Sequence, residues 1–243
     1  MKTIIQAGKI SDISWSNGTW LILDIGFAKT GKKSCGLLIH SQKQEKDDKG
    51  EFDFNDAVKE VKKAAENAVK TKEALNLVIE APLSVAFDGN GNPTPRLSIA
   101  VEKHGKQTPI CFEKQGSQTR YWYVGLGCGL IVATLYLMTH LISEELDCEI
   151  RLFEAFVSFK PKDGKPKKQK SHLKDVESLG DLIQDPEKLI CCIHNPADPA
   201  LPGINSSYRV ESAFKVAGLD FGVPPVIMPN DRKGHHPQKP GLL

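Results

Sequence analysis

Nothing in this chain is lopsided enough to name a function from bulk composition alone. Its 32 basic residues nearly cancel its 30 acidic ones, leaving a formal charge of +2, so no polyanion partner follows from net charge and only local clustering can mark one. Its 6 cysteines, at positions 35, 111, 128, 148, 191 and 192, include no C-x-x-C pair, which removes the common zinc and dithiol signatures. They read as reduced core thiols of a cytoplasmic protein. Met1 to Ile10 lacks the apolar stretch of a secretory signal. There is no internal repeat and no long flexible linker, so the 243 residues, 40% of them hydrophobic, are expected to build one α/β domain over 1–228. The basic stretch 229–243 is expected to be a loosely packed tail.

Formal charge is also missing from Tyr121 to Ser143, a length sufficient to cross a bilayer. Gly125, Gly127, Gly129, Thr134, Thr139 and His140 interrupt its apolar character, and no second such segment accompanies it. A helix buried inside a domain is therefore favoured over a membrane span.

Asn17-Gly18 between Trp15 and Trp20 is the pattern of a tight hairpin, which would open the chain in antiparallel sheet. Trp20 to Ile25 and Cys35 to His40 read as strands that pair as a second hairpin, and Ser41 to Gly50 as an exposed turn. Ala57, Val58, Val61, Ala64, Ala65, Ala68 and Val69 recur at helical spacing, predicting a helix over Asn55 to Lys72 with Asn55 as cap. Leu75 to Glu80 follows as a short strand stopped by Ala81-Pro82, placed to return parallel into the sheet. Further on, Ser98–Glu102 and Thr108–Glu113 read as a small added hairpin, Glu149–Phe156 and Leu189–Ile193 as strands, and Ser206–Leu219 as the last helix, capped by Ser206 or Ser207.

Several acids stand where their neighbours are apolar: Asp24 in Trp-Leu-Ile-Leu-Asp-Ile-Gly, Glu80 in Leu-Val-Ile-Glu-Ala-Pro-Leu, and Glu211 in Tyr-Arg-Val-Glu-Ser-Ala-Phe. Holding a carboxylate in such surroundings costs several kcal/mol unless a positive charge compensates it, and acids gathered in that way commonly hold a metal. Asp24, flanked by Leu23 and Ile25, has few other uses beyond capping a turn at Gly26. Glu211 admits two readings, since Lys215 follows four residues later at the spacing of an exposed helical ion pair. Glu154 in Glu149–Phe156 also stays open, because alternate strand residues face opposite ways.

The order of these elements, with Asp24-Ile-Gly26, Glu80-Ala-Pro-Leu83 and Leu152-Phe-Glu154-Ala-Phe-Val-Ser-Phe159, resembles the ribonuclease-H-like superfamily and its predicted-nuclease branch over most of 19–220. The resemblance implies a mixed sheet, antiparallel strands first and parallel strands after, with helices on both faces. It also implies a nuclease that hydrolyses phosphodiester bonds through Mg²⁺ or Mn²⁺. In that branch the last helix tends to carry aspartates; Glu211 stands there instead. Hard oxygen ligands suit magnesium. Two such ions roughly 3.5–4 Å apart activate the attacking water and stabilise the leaving oxygen. The expected ligands are Asp24, bridging the ions, with Glu80 and Glu211, and Glu154 as a further catalytic contributor.

Lys160, Lys162, Lys165, Lys167, Lys168 and Lys170, in an exposed loop over 160–174, suit a nucleic-acid backbone, DNA or RNA, by counterion release; a solvated loop is the plainer reading. Gly26 to Ser34 comes within one residue of a phosphate-binding G-x-x-x-x-G-K-[ST] loop, but Lys33 takes the hydroxyl position and a strand, not a helix, follows. The same stretch resembles the first phosphate loop of actin-like kinases, which need a second such domain that 243 residues cannot supply. His235-His236 lie in the basic tail, and His40, His104, His140, His172 and His194 show no ligand spacing, so no chemistry is expected of them. The alternative to an enzyme is a catalytically silent protein of the same fold that binds nucleic acid or serves in an assembly.

Overall fold

The computed structural model describes residues 3–26, 33–80, 84–87, 111–113, 116–118, 124–155, 171–185, 193–194, 205–209, 222 and 224–227. Its centre is an eight-stranded sheet. β2 (Thr19–Asp24) lies between β3 (Cys35–His40), antiparallel to it, and β5 (Leu75–Glu80), parallel to it. β4 (Asp48–Phe52) extends the antiparallel side beyond β3. On the other side β5 pairs in parallel with β9 (Glu149–Ala155), followed by β12 (Val226–Ile227) and β10 (Ile193–His194). β1 (Ile4–Ala7) pairs in parallel with the first half of β9.

This is the mixed α/β sheet expected from the sequence, antiparallel first and parallel after, and its strand order is compatible with ribonuclease-H-like topology. The hydrogen-bonded turn is centred on Trp15-Ser16, the Asn17 N–H donating to the Ser14 carbonyl at 2.9 Å, and Asn17-Gly18 only bends the chain into β2; no hairpin opens the chain, because β3 and β5 already occupy both hydrogen-bonding edges of β2. β1 goes to β9 instead, while Trp15 stacks on His40 with ring centroids 4.3 Å apart and Trp20 Nε1 donates to the Ser14 carbonyl at 2.8 Å. Part of the tract read as an exposed turn, from Asp48 onward, is strand β4.

The helices cover both faces. α1 (Phe54–Thr71) starts one residue earlier than expected because Asp53, not Asn55, is the cap, its carboxylate accepting from the Asp56 N–H at 2.8 Å. Its small residues Ala57, Ala64, Ala65 and Ala68 let it lie close against Leu21, Leu23, Leu75, Leu77, Ile79, Ile150 and Leu152. α2 (Val124–Ser143) is the uncharged segment, and Ala133, Leu137, Met138 and Leu141 bury into the same cluster. Among the described residues no helix is long and apolar enough to cross a membrane.

α3 (His172–Gln184) covers the other face, packing Val176, Leu179 and Ile183 on Trp20, Ile22, Leu38, Val78 and Phe153. The exposed loop expected over 160–174 is corrected at its end, where Ser171 caps α3 and 172–174 belong to its first turn. The expected helix Ser206–Leu219 is corrected in its first part: Asn205–Arg209 is a strand, β11, paired antiparallel with β6 (Ser84–Phe87). Residues 210–219 lie outside the described residues, as do 88–110 and the tail beyond 227. The small hairpin is β7 (Cys111–Glu113) with β8 (Gly116–Gln118), so its partner strand follows Glu113 where one before it was expected.

Leu77 is fully buried between α1, α2 and the sheet, whereas Ile4 is 56% exposed. Leu77→Ala is expected to lower unfolding free energy by about 2–5 kcal/mol, and Ile4→Ala by roughly 0.5 kcal/mol or less. Urea denaturation followed by tryptophan fluorescence checks both; equal effects would contradict the core assigned here.

Candidate functional site

Parallel pairing in register places Asp24 beside Glu80 at the carboxyl ends of β2 and β5. Neighbouring strands lie about 4.8 Å apart, so the two side chains leave the same face at nearly contact distance. Asp24 is only 2% exposed and Glu80 7%. The face is the one α3 covers: Trp20, Ile22 and Val78, the residues of matching parity, belong to its apolar cluster.

α3 brings two more functional groups to this point. Ser171 caps the helix, its hydroxyl accepting from the Lys174 N–H. The first turn then directs His172 Nδ1 to within 2.7 Å of Asp24 Oδ2 and buries Asp175 close enough for its charge to act on Asp24. Burial, above all, raises the Asp24 carboxyl well above its ordinary range; the Glu80 charge and a side-chain hydrogen bond with Glu80 push the same way, followed by Asp175 and Cys35. Asp24 and Glu80 thus form a desolvated acid pair that favours holding a proton or a cation between its oxygens.

The backbone around Asp24 is shaped for this approach. Gly36 is the register partner of Asp24 on β3, and a Cβ there would collide with the carbonyl group of His172 and come within 2.7 Å of the Leu173 nitrogen. A Cβ on Gly26 would come within 2.5 Å of His172 Nε2 and also strike the Ser34 carbonyl oxygen. The Gly26 carbonyl accepts from Ser34 Oγ at 2.7 Å and from the buried Cys35 thiol at 3.7 Å, which ties together the two ends of 27–32. A strand, β3, follows this segment, so the near match to a phosphate loop lacks the helix that such loops require.

Of the acids singled out in the sequence, Asp24 and Glu80 come together and Glu154 does not join them. Glu154 is 2% exposed and pairs with Ile79, and it shares parity with Ile150 and Leu152, which pack under α1 and α2. Alternation along β9 therefore turns it to the opposite face from Asp24 and Glu80. Glu211 and lysines 160, 162, 165, 167, 168 and 170 lie outside the described residues.

His172 and Asp175 were missed. Their signal was present: Ser171 as a cap, followed by Val176, Leu179 and Ile183 at helical spacing, with Asp175 one residue inside the apolar stripe. The lysines immediately before it masked the pattern. Asp175 stands in the first turn of α3, just after the lysine tract.

The donor chemistry fits a hard divalent cation. Asp24 and Glu80 present carboxylate oxygens, and magnesium needs only one or two protein carboxylates when water and phosphate complete its shell. Among the described residues no group of three or more His, Cys, Asp or Glu side chains is arranged to hold a metal ion, so a closed protein cage is not preformed there. Compared with known proteins, the chain matches no family model, no curated protein and no solved structure.

The raised Asp24 carboxyl has a consequence for stability. The folded state retains this proton to higher pH than the unfolded chain does, so folded protein binds more protons between the two pKa values and stability falls as pH rises through that interval. In metal-free protein Asp24→Asn is expected to remove this loss and raise stability at neutral pH by about 1–3 kcal/mol, with little gain below the ordinary carboxylate range. Thermal melts in chelator across pH check it; an Asn variant less stable than wild type at neutral pH would show that Asp24 is fully compensated in the fold.

Proposed function

We propose that this protein is a metal-dependent nuclease that hydrolyses phosphodiester bonds of nucleic acid, with Asp24 and Glu80 as the carboxylates that hold Mg²⁺ or Mn²⁺. The observation that carries the reading is the buried Asp24–Glu80 pair at adjoining parallel strand ends, met from above by His172 and the Asp175 charge. A protein that keeps like charges together in a desolvated place accepts a stability cost, and such sites are where binding and catalysis concentrate.

A divalent cation held there supplies Lewis-acid polarisation of a phosphoryl oxygen and a more acidic bound water. Asp24 orients the His172 ring through Nδ1 and leaves Nε2 to exchange a proton with water or a substrate oxygen. His172, with 37% of its side chain exposed, is the member of the group that solvent and substrate reach. Asp175, buried in the first helical turn, adds negative charge that strengthens cation binding.

Nucleic acid is the proposed substrate partner because Lys160, Lys162, Lys165, Lys167, Lys168 and Lys170 fall between Ala155 and Ser171. Those two residues end β9 and precede α3 on the side of the sheet where Asp24 and Glu80 lie. Cys35 and Cys148 are free and buried, in keeping with a cytoplasmic location.

The second reading, a catalytically silent protein of this fold that binds nucleic acid or serves in an assembly, is favoured by the lack of a three-ligand cluster among the described residues. One experiment separates them. Single-stranded, duplex and branched DNA and RNA are incubated with wild type, Asp24→Asn and Glu80→Gln in Mg²⁺, Mn²⁺ or chelator. The nuclease reading expects metal-dependent cleavage that falls by at least about 100-fold in either variant. Metal-independent binding without cleavage of any substrate establishes the silent reading instead.

A further inference from the structure

The side of the sheet that carries Asp24 has a gap beside it. In the antiparallel β2–β3 pair Asp24 lies opposite Gly36, so the two positions project from the same face, and one of them projects nothing. What fills the gap is main chain: the carbonyl group of His172 and the amide nitrogen of Leu173, at the start of α3, stand where a Gly36 side chain would be. Elsewhere α3 meets the sheet through side chains, with Val176, Leu179 and Ile183 packed on Trp20, Ile22 and Leu38. Its first turn is therefore in direct main-chain contact with β3 at Gly36.

We propose that Gly36 is a positioning residue of the site: by carrying no side chain it seats the first turn of α3 on β3 and so sets His172 on Asp24. The nearest obstacle to a Cβ at this position is backbone, which has no rotamer to escape into, so even alanine lifts the helix start. A lift of this kind acts directly on the 2.7 Å Nδ1–Oδ2 contact, because His172 is the residue struck. Asp175, three residues along the same turn, moves with it. The inference rests on the nuclease reading only for its bearing on cation binding; the seating itself is a property of the metal-free protein.

The test compares wild type, Gly36→Ala, Asp24→Asn and Gly50→Ala, the last on neighbouring β4 where the atoms nearest an added Cβ are those of the Phe52 ring, a side chain and not backbone. Imidazole ¹⁵N spectra of metal-free protein report the Nδ1 partner of His172, and Mn²⁺ titration reports the cation. Gly36→Ala is expected to keep its far-UV circular dichroism, to move the His172 Nδ1 resonance to the position seen in Asp24→Asn, and to weaken Mn²⁺ binding about 10- to 100-fold. Gly50→Ala is expected to leave both unchanged. A His172 resonance unmoved by Gly36→Ala overturns the proposal. Should Gly36→Ala not fold, the wild type decides: a nuclear Overhauser contact between the Gly36 α-protons and the Leu173 amide proton upholds the seat, and its absence overturns it. If wild type binds no Mn²⁺ and cleaves nothing while Gly36→Ala still shifts His172, the nuclease reading fails and the seat stands.

Discussion

The pairing of β2 with β5 decides most of what this molecule can do. Parallel neighbours in register bring residues of equal rank along each strand side by side, and here that rank is occupied by Asp24 and Glu80. Two carboxylates buried together repel each other and are poorly solvated, so the fold holds them only because the sheet around them is secured elsewhere. Leu21, Leu23, Leu77, Ile79 and Leu152 lock one face under α1 and α2; Trp20, Ile22, Val78 and Phe153 lock the other under α3. The apolar layers give the acids no freedom to separate.

α3 answers the pair's charge on one side. Its N-terminus, where unsatisfied N–H groups and the helix dipole favour negative charge, ends over Asp24, and its first turn delivers His172 as a hydrogen-bond partner. The same turn also carries Asp175, which adds to the acid charge rather than relieving it. Stability alone would not select that combination. Three acids, Asp24, Glu80 and Asp175, are thus gathered around the start of one helix.

Legibility from sequence followed how local the determinants were. β2, β3 and β5 could be read because each is a short apolar run with clear stops, and α1 because seven small or branched apolar residues repeat at helical spacing. Asp24 and Glu80 stood out for the same reason, as acids at the ends of such runs. α3 escaped because a lysine-rich stretch runs up to its cap, so composition pointed to loop where periodicity pointed to helix. A change of direction near Asn17-Gly18 was legible, yet the turn itself falls on Trp15-Ser16 and the hairpin was not available, since a strand has two edges and both were taken. The face of Glu154 was likewise undecidable from its own segment: parity becomes meaningful only once Phe153 and Leu152 are known to sit under different helices.

By itself the chain determined that β2, β3, β5 and β9 would be strands, that its longest uncharged run would be a helix, and that Asp24 and Glu80 were acids in unwelcoming places. Those properties depend on side chains a few residues apart. Tertiary structure alone decided that the two acids would be neighbours, that Glu154 would face away, and that His172 and Asp175 would reach Asp24. Each of these depends on register between strands or on the seating of a helix against Gly36, distances set by segments far apart in the chain, to which no local pattern responds.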